Sequence, residues 1–272
     1  MIKIGNKQYK VCLFDTNALS FIIKHETIFH KIFKEYPFPE YTYAYSPYVL
    51  FEIGRNKELL DRYIHFFSYF PSLLLKNEVE LFFEEVNHYC NGVEPSIWSI
   101  NPSSIIGEGK SYEKLFKVFS LVQIEEKFAQ LYQMLEKNYK TMLDWSDWAK
   151  MYEIDKKNKN ILNFRIIETF AANCIGSYLK NSNCNDDLRN HLGKNIIIEI
   201  ISTAWFYKFV SDKQRKTNIN DVVDILNITG LPYSDVFIGE NNINNVIIKM
   251  QRKGICKSVI LKNAIDYLKE SA

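Results

Sequence analysis

The chain lacks several features that mark out whole classes of protein. Its net charge is only +2, so no general basic field indicates nucleic acid, and contacts with phosphates must come from local clusters. No charged leader with an apolar core opens the sequence, and its apolar stretches are broken by Lys, Glu or Asn well before membrane-spanning length. We therefore expect a protein with no membrane partner.

Cysteine pairs and histidine clusters are also missing. The five cysteines form no C-x-x-C pair, and an odd number without a leader predicts reduced, mostly buried thiols in the cytoplasm. The nearest histidines, His25 and His30, are five residues apart and do not share a helical face, which argues against a zinc site. The sequence contains no internal repeat and no low-complexity run.

What the chain does have is the composition of a globular protein, with 47% apolar and 24% charged residues over 272 positions. Residues 11–14 form a short apolar run typical of a central strand, and this run ends at Asp15. A helix is predicted from Ala18 to Lys24, with Thr16 or Asn17 available as its cap.

A second strand followed by a helix comes next. Residues 41–45 are rich in aromatic and β-branched side chains, as strands are. Ser46 at the N-cap position and Pro47 at the first helical position predict a helix start. This helix would run through Glu52 and on toward Phe67.

The middle of the chain, residues 56–212, is predicted to be mainly helical. Segments 112–139 and 161–180 repeat apolar residues at spacings of three and four. Residues 92–109 are rich in Gly, Pro and Ser and are interpreted as a loop.

Strands and helices alternate again near the end. Asn220 is predicted to cap a helix over 221–229 that Gly230 and Pro232 stop. The elements predicted after it are a strand at 236–238, a helix at 242–252 closed by Gly254, a strand at 258–261 and a helix at 264–270. The fold class is therefore α/β: a parallel sheet flanked by helices, built from residues 1–55 and 213–272, with 56–212 as a large, mainly α-helical insertion packed on it.

Acidic residues fall where these strands and helices would meet. Asp15 ends the first strand, Glu240 follows a later one, and Glu52 lies in the second turn of a helix. Asp221 and Asp224 are three residues apart, so they share a helical face. Because ligands of open α/β sheets bind beyond the carboxyl ends of the strands, all five acids are predicted to converge on one cleft.

Such a cleft suits a hard divalent cation. Magnesium and manganese prefer oxygen ligands, and two ions held close together can activate a water and stabilise the leaving oxygen of a phosphodiester. The five acids are therefore the candidate catalytic and metal-binding residues, with Mg²⁺ or Mn²⁺ as the expected cofactor. Without a cation, these carboxylates would repel each other strongly.

Four segments resemble the successive motifs of PIN-domain (PilT N-terminus-like) nucleases. They are residues 11–19, 46–52, 220–227 and 235–241. No single motif is specific, but their order, their strand or helix settings and their acids together are. The resemblance implies a parallel sheet flanked by helices, with acids that bind Mg²⁺ or Mn²⁺ and hydrolyse RNA. It also implies an endoribonuclease acting as a bacterial toxin or defence nuclease, with RNA as substrate and an antitoxin or other protein as partner.

The sequence departs from the family pattern at one motif and in one length. Gly239-Glu240 stands where the family usually has Thr-x-Asp or Thr-Asp, and the insertion is longer than usual. Either Asp221 or Asp224 could be the third acid, and Asp221 lies closer to the family position. The insertion could bind the substrate, a partner or a second copy of the chain. An alternative function is a catalytically degenerate PIN-like scaffold that binds RNA or protein.

Taken singly, the acids have ordinary interpretations. Asp15 could merely cap a helix, Asp221 could favour a helix dipole, and Glu240 in a turn is the weakest candidate. A phosphatase that phosphorylates Asp15 would need an acid two residues on, and Asn17 stands there. Asp235 precedes its strand and is expected at the opposite end of the sheet.

A basic cluster directly precedes the Asp221 helix. Its three cations could hold substrate phosphates near the metal, as a weaker prediction than the acids. They are Lys213, Arg215 and Lys216.

Overall fold

The computed structural model describes residues 2–4, 7–37, 40–69, 72–99, 121–151, 159–180, 195–211 and 216–269, and the elements are numbered along these residues. The strands are β1 (Ile2–Ile4), β2 (Lys7–Phe14), β3 (Tyr41–Tyr45), β4 (Ser72–Leu74), β5 (Val236–Gly239) and β6 (Ile260–Asn263).

The helices of the first 205 residues are α1 (Thr16–Lys24), α2 (Glu26–Glu35), α3 (Pro47–Gly54), α4 (Lys57–Tyr69), α5 (Glu78–Asn91), α6 (Leu121–Met151), α7 (Lys159–Lys180) and α8 (Ile196–Trp205). Those that follow are α9 (Ile219–Asn227), α10 (Asn241–Arg252) and α11 (Asp266–Lys269). A π-helical segment, Phe206–Ser211, continues α8, and a 3₁₀ segment, Ile228–Tyr233, continues α9.

Five parallel strands form the sheet, in the order β4-β3-β2-β5-β6, and β1 adds an antiparallel partner to the start of β2. The central strand, β2, has neighbours on both sides. Its side chains alternate, so that Val11 and Leu13 enter one buried core while Cys12 and Phe14 enter another. Helices therefore cover both faces, and the α/β fold class predicted from the sequence is confirmed.

The helical middle of the chain packs on one of these faces. Trp205 of α8 stacks its ring on Phe170 of α7, with 3.9 Å between ring centroids. Its indole nitrogen donates a hydrogen bond to the carbonyl of Met142 in α6, at 2.9 Å. The buried side chains of these three helices lie in the same core as Val11 and Leu13 of β2, so this core joins the helices to one face of the sheet.

The sheet continues into the range predicted as insertion. β4 pairs in parallel with β3, so the α/β part of the chain extends past residue 55. A strand of three residues is too short for its periodicity to be recognised in a sequence. The single helix predicted to run toward Phe67 is two helices, because the side chain of Asn56 accepts a hydrogen bond from the amide of Leu59 and starts α4 anew.

Two predicted caps are wrong by one or two positions. Asp15, and neither Thr16 nor Asn17, is the N-cap of α1, because its carbonyl already accepts the amide of Leu19. Asn218, and not Asn220, caps α9. The last strand and helix begin two residues later than predicted, whereas the strand at 41–45 has the predicted bounds.

Other predictions have mixed outcomes. Ser46 is the N-cap residue of α3 with Pro47 behind it, as predicted, and Gly254 has a φ of +100° in the turn after α10. Cys184 and the loop from residue 100 lie outside the described residues, whereas the four described cysteines are free thiols. None of the helices in the described ranges is long and apolar enough to cross a membrane.

Candidate functional site

Two of the predicted acids stand side by side at the carboxyl edge of the sheet. Asp15 follows β2 and Glu240 follows β5, and these strands are parallel neighbours. The amide of Asp15 donates to the carbonyl of Ile238 at 3.0 Å, which brings the two strand ends together. Asp15 and Glu240 are also the N-cap residues of α1 and α10, yet neither side chain makes a capping hydrogen bond. Neither carboxylate is therefore occupied by the helix that it precedes.

The carboxylate of Asp15 is the most unusual group at this edge. Its residue is only 1% exposed, and neither oxygen has a hydrogen-bond partner within the described part of the chain. Burial, and then the negative charges of Asp224, Glu52 and Glu240, raise the pKa of Asp15 well above its ordinary value; the neighbouring backbone amide of Thr16, which falls short of a regular hydrogen bond, opposes this only in part. The ionised form of a buried carboxylate beside three other acids is unfavourable unless a cation lies nearby.

Glu52 faces the same cleft from the second turn of α3. Burial raises its pKa to about 7, and the nearby charges of Asp224 and Glu240 add to this effect. The hydroxyl of Thr16 and the positive charge of Arg55 act in the opposite direction. Four of the five predicted acids therefore interact electrostatically: Asp15, Glu52, Asp224 and Glu240.

Three neutral side chains next to this cleft are joined by hydrogen bonds. The amide of Asn227, the last residue of α9, donates to the hydroxyl of Thr16 at 3.2 Å. The hydroxyl of Ser46 donates to the amide oxygen of the same Asn227, which explains why this N-cap residue makes no side-chain capping bond to α3. These bonds join residues up to 211 positions apart, so nothing in the local sequence marks Asn227 as part of a site.

The predicted pair on α9 divides into two different environments. Asp221 is fully buried, and its Oδ2 accepts the amide of Asn218 at 2.9 Å, which completes a capping box. Asp224, one turn later, is 9% exposed and is the leading charge acting on Asp15. Asp221 thus has a defined role in the start of α9, whereas Asp224 faces the cleft.

A lysine that the sequence analysis missed lies between these two acids. Lys208 is 1% exposed, and its ammonium is 3.1 Å from Asp221 Oδ1 and 2.5 Å from Asp224 Oδ2. It belongs to the π-helical segment, inside the range predicted as insertion. The only signal for it in the sequence is a single Lys within the buried apolar run 204–210.

Gly239 stands where PIN-domain motifs usually have a threonine, and its surroundings leave little space for a side chain. A Cβ atom at Gly239 would lie 2.4 Å from the ring of Phe237 and 3.1 Å from side-chain atoms of Asn244 and Ile243. Such contacts leave no space for a threonine at this position while Phe237 stays in place. The hydroxyl that the family motif supplies therefore has no place at the end of β5.

The donor set fits a hard divalent cation in its chemistry, since carboxylate oxygens are what Mg²⁺ and Mn²⁺ prefer. In the arrangement described, however, no three His, Cys, Asp or Glu side chains of the described ranges come close enough to hold an ion. Binding would therefore have to draw the four cleft carboxylates together. The buried, unpartnered oxygens of Asp15 are what favour such a movement.

Of the predicted phosphate contacts, Lys216 is exposed two residues before the α9 cap, while Lys213 and Arg215 lie outside the described residues. Arg55 adds an exposed cation one turn after Glu52. Its guanidinium lies 5.9 Å from the ring centroid of Tyr132, on α6, so the helical middle of the chain borders the cleft.

A separate cleft of about 830 Å³ lies between α7 and α8. Its wall is mostly apolar, its charged residues are Glu168, Glu199 and Lys253, and it contains none of the five predicted acids. Asp235 is likewise apart from the site, because its carboxylate accepts the amide of Val11 at the opposite edge of the sheet, at 2.9 Å.

Comparison with protein-family models, with curated proteins and with solved structures finds no match for this chain.

Proposed function

We propose that this chain is an endoribonuclease that hydrolyses RNA phosphodiester bonds with Mg²⁺ or Mn²⁺ held by Asp15, Glu52, Asp224 and Glu240. The observation that carries the proposal is the carboxylate of Asp15, buried without a hydrogen-bond partner and beside three other acids. Leaving a buried acceptor unsatisfied costs about 1–3 kcal/mol, and functional sites are where proteins retain such costs. A divalent cation would supply the missing partner.

The residues of the cleft have distinct parts in this proposal. A bound Mg²⁺ or Mn²⁺ supplies an activated water and positive charge for the leaving oxygen of the phosphodiester. Thr16, held by Asn227, orients the carboxylate of Glu52. The dipoles of α1 and α10 offset part of the charge of Asp15 and Glu240 at their N-termini.

The third ligand position goes to Asp224 in this proposal, since the carboxylate of Asp221 already serves Lys208 and the α9 cap. Asp221 then supports the cleft from behind and does not contact the cation. Of the two acids that the sequence leaves open, we therefore propose Asp224 as the ligand.

RNA is the proposed substrate because cations border the acidic cleft. Arg55, whose charge acts on Glu52, is exposed there, and Lys216 is exposed two residues before the α9 cap; side chains of this kind fix phosphates in place without reading base sequence. The resemblance to PIN-domain nucleases adds the proposal of a toxin or defence role, with an antitoxin or other protein as partner.

The test uses purified protein with Mn²⁺ added after treatment with EDTA. We expect cleavage of RNA that needs Mn²⁺, a rise in melting temperature with Mn²⁺, and loss of both in Asp15→Asn. Asp235→Asn makes the same chemical change at the opposite edge of the sheet and should retain both responses. Cleavage that survives in Asp15→Asn at the wild-type rate would exclude the mechanism.

A non-catalytic scaffold that binds RNA or protein is the second candidate. The observation that favours it is the ammonium of Lys208, which already neutralises part of the acidic cluster. A scaffold of this kind would bind RNA equally well with Mn²⁺ and with EDTA, and would leave the RNA intact in both. The two candidates therefore separate in the same titration.

A further inference from the structure

Lys208 is a buried cation in an unusual backbone setting. It lies in a six-residue π-helical segment, and segments of this type are rare and often occur at functional sites. Its neighbours Phe206, Phe209 and Val210 are buried apolar side chains. Replacing buried ion pairs by apolar side chains is often neutral or stabilising, so fold stability alone does not explain a lysine here.

Among the residues that the structure describes, the ammonium of Lys208 contacts two carboxylates, and both belong to one helix. Its Nζ is 3.1 Å from Asp221 Oδ1 and 2.5 Å from Asp224 Oδ2, and these two acids share a face of α9. Two acids three residues apart on a helix are themselves a potential pair of ligands for a divalent cation. The ammonium stands at the position that such a cation would need.

Asp224 also connects Lys208 to the cleft, because its charge acts on Asp15 and Glu52. The side chain of Lys208 is too buried to contact a substrate itself. Any effect of Lys208 on the cleft must therefore pass through Asp224, which makes it a positioning residue.

We propose that Lys208 is a built-in cation that excludes a divalent ion from the space between Asp221 and Asp224 and holds Asp224 toward the cleft formed with Asp15 and Glu52. The positioning of Asp224 as a cleft ligand rests on the proposed function, whereas the exclusion of an ion from between the two acids does not. Removing the ammonium should convert this pair of carboxylates into a divalent-cation site.

The experiment compares the number of Mn²⁺ ions bound per chain in the wild type and in Lys208→Met, measured by titration with electron paramagnetic resonance detection of free Mn²⁺. Methionine keeps most of the length of the lysine side chain and lacks its charge. We expect Lys208→Met to bind one Mn²⁺ more than the wild type, and to gain more in melting temperature on addition of Mn²⁺. Equal stoichiometry in the two proteins would overturn the inference.

The double variant Lys208→Met with Asp221→Asn is the matched control. It removes one negative charge together with the positive one, so it should fold in EDTA and should not gain the additional ion. If Lys208→Met alone does not fold in EDTA, growth with added Mn²⁺ should rescue it, because the ion replaces the ammonium. If the double variant also fails to fold with and without Mn²⁺, Lys208 acts by packing and the inference is wrong.

Asp15→Asn separates this inference from the proposed nuclease. Placed in the Lys208→Met background, it should remove the ion of the cleft and leave the additional ion bound between Asp221 and Asp224. If the wild type binds no Mn²⁺, the proposed nuclease is wrong. A gain of one ion in Lys208→Met would still support the inference that Lys208 keeps an ion out of the space between Asp221 and Asp224. Loss of the additional ion together with the cleft ion would overturn the separate site.

Discussion

Neutralising Asp15 should stabilise the metal-free protein, although the residue is almost completely buried. Its carboxylate has no hydrogen-bond partner in the described part of the chain, and three nearby acids repel it. An unsatisfied buried polar group costs about 1–3 kcal/mol, and a neutral amide of the same shape is less costly to bury than a carboxylate. We therefore expect Asp15→Asn to raise the free energy of unfolding by about 1–2 kcal/mol in EDTA.

The sign of the pH dependence follows from the direction of the pKa shift. The pKa of Asp15 is raised in the folded protein, so the folded state retains a proton that the unfolded state releases near its ordinary value of 3.8. Below pH 3.8 Asp15 is neutral in both states, so the wild type does not bear the cost of burying its charge. The wild type then loses stability as the pH rises through the folded pKa. The advantage of Asp15→Asn should consequently be small near pH 4 and greatest at alkaline pH.

Asp221→Asn is a control with the same chemical change and the opposite expected sign. The carboxylate of Asp221 accepts from Lys208 and from the amide of Asn218, so the loss of its charge should cost about 1.5–3 kcal/mol. Counting acids in the sequence would treat the two residues alike, as members of one repelling cluster. The structure distinguishes them by their partners.

The assay is urea unfolding in EDTA at pH 5 and pH 8, followed by tryptophan fluorescence. Trp205 is fully buried and stacked on Phe170, so its emission reports loss of the core that joins the helices to the sheet. The reasoning is refuted if Asp15→Asn loses as much stability as Asp221→Asn at both pH values. In that case Asp15 would have a structural role.

Three further predictions concern groups other than the cleft acids. Burial raises the pKa of Glu85 to about 7, so the wild type should lose stability relative to Glu85→Gln as the pH rises from 5 to 8. A difference in the free energy of urea unfolding that stays constant over this range would contradict the prediction. Asp235→Asn should lose about 1 kcal/mol, because it weakens the bond to the amide of Val11, yet keep its thermal response to Mn²⁺; loss of that response would place Asp235 in the site. Replacing the three cations of residues 213–216 by Gln should weaken RNA binding equally for all sequences and flatten its dependence on salt, as measured by filter binding; an unchanged salt slope would mean a solvated loop.

The sheet edge and its acids could be predicted because they depend on local patterns. Residues 11–14 and 236–238 are apolar runs that end one or two residues before Asp15 and Glu240, and parallel strands bring such ends together. Asp235 precedes its strand, and this alone predicts its place at the other edge. Membership of the PIN family and nuclease activity remain predictions that rest on the sequence motifs.

The contacts that organise the acids could not be predicted, because they join distant parts of the chain. Asn227 bonds to Thr16 and Ser46 across 211 and 181 residues, and no periodicity encodes such pairings. Lys208 reads as a lone polar interruption of an apolar helix. The caps of α1 and α9 cannot be predicted for a related reason: several polar residues compete at each helix start, and tertiary contacts decide among them.

The position of Lys208 also changes how the helical middle of the chain should be understood. The sequence separates the acids, at residues 1–55 and 213–272, from an insertion that merely packs on them. In the structure, however, the one described cation that contacts Asp221 and Asp224 is Lys208, which lies in the segment 206–211. Residues 72–74 of the same range form a strand of the sheet. A shortened insertion would therefore alter the charge next to Asp224 as well as the core. Residues of the predicted insertion therefore supply a counter-charge to the acids of α9, next to the candidate site.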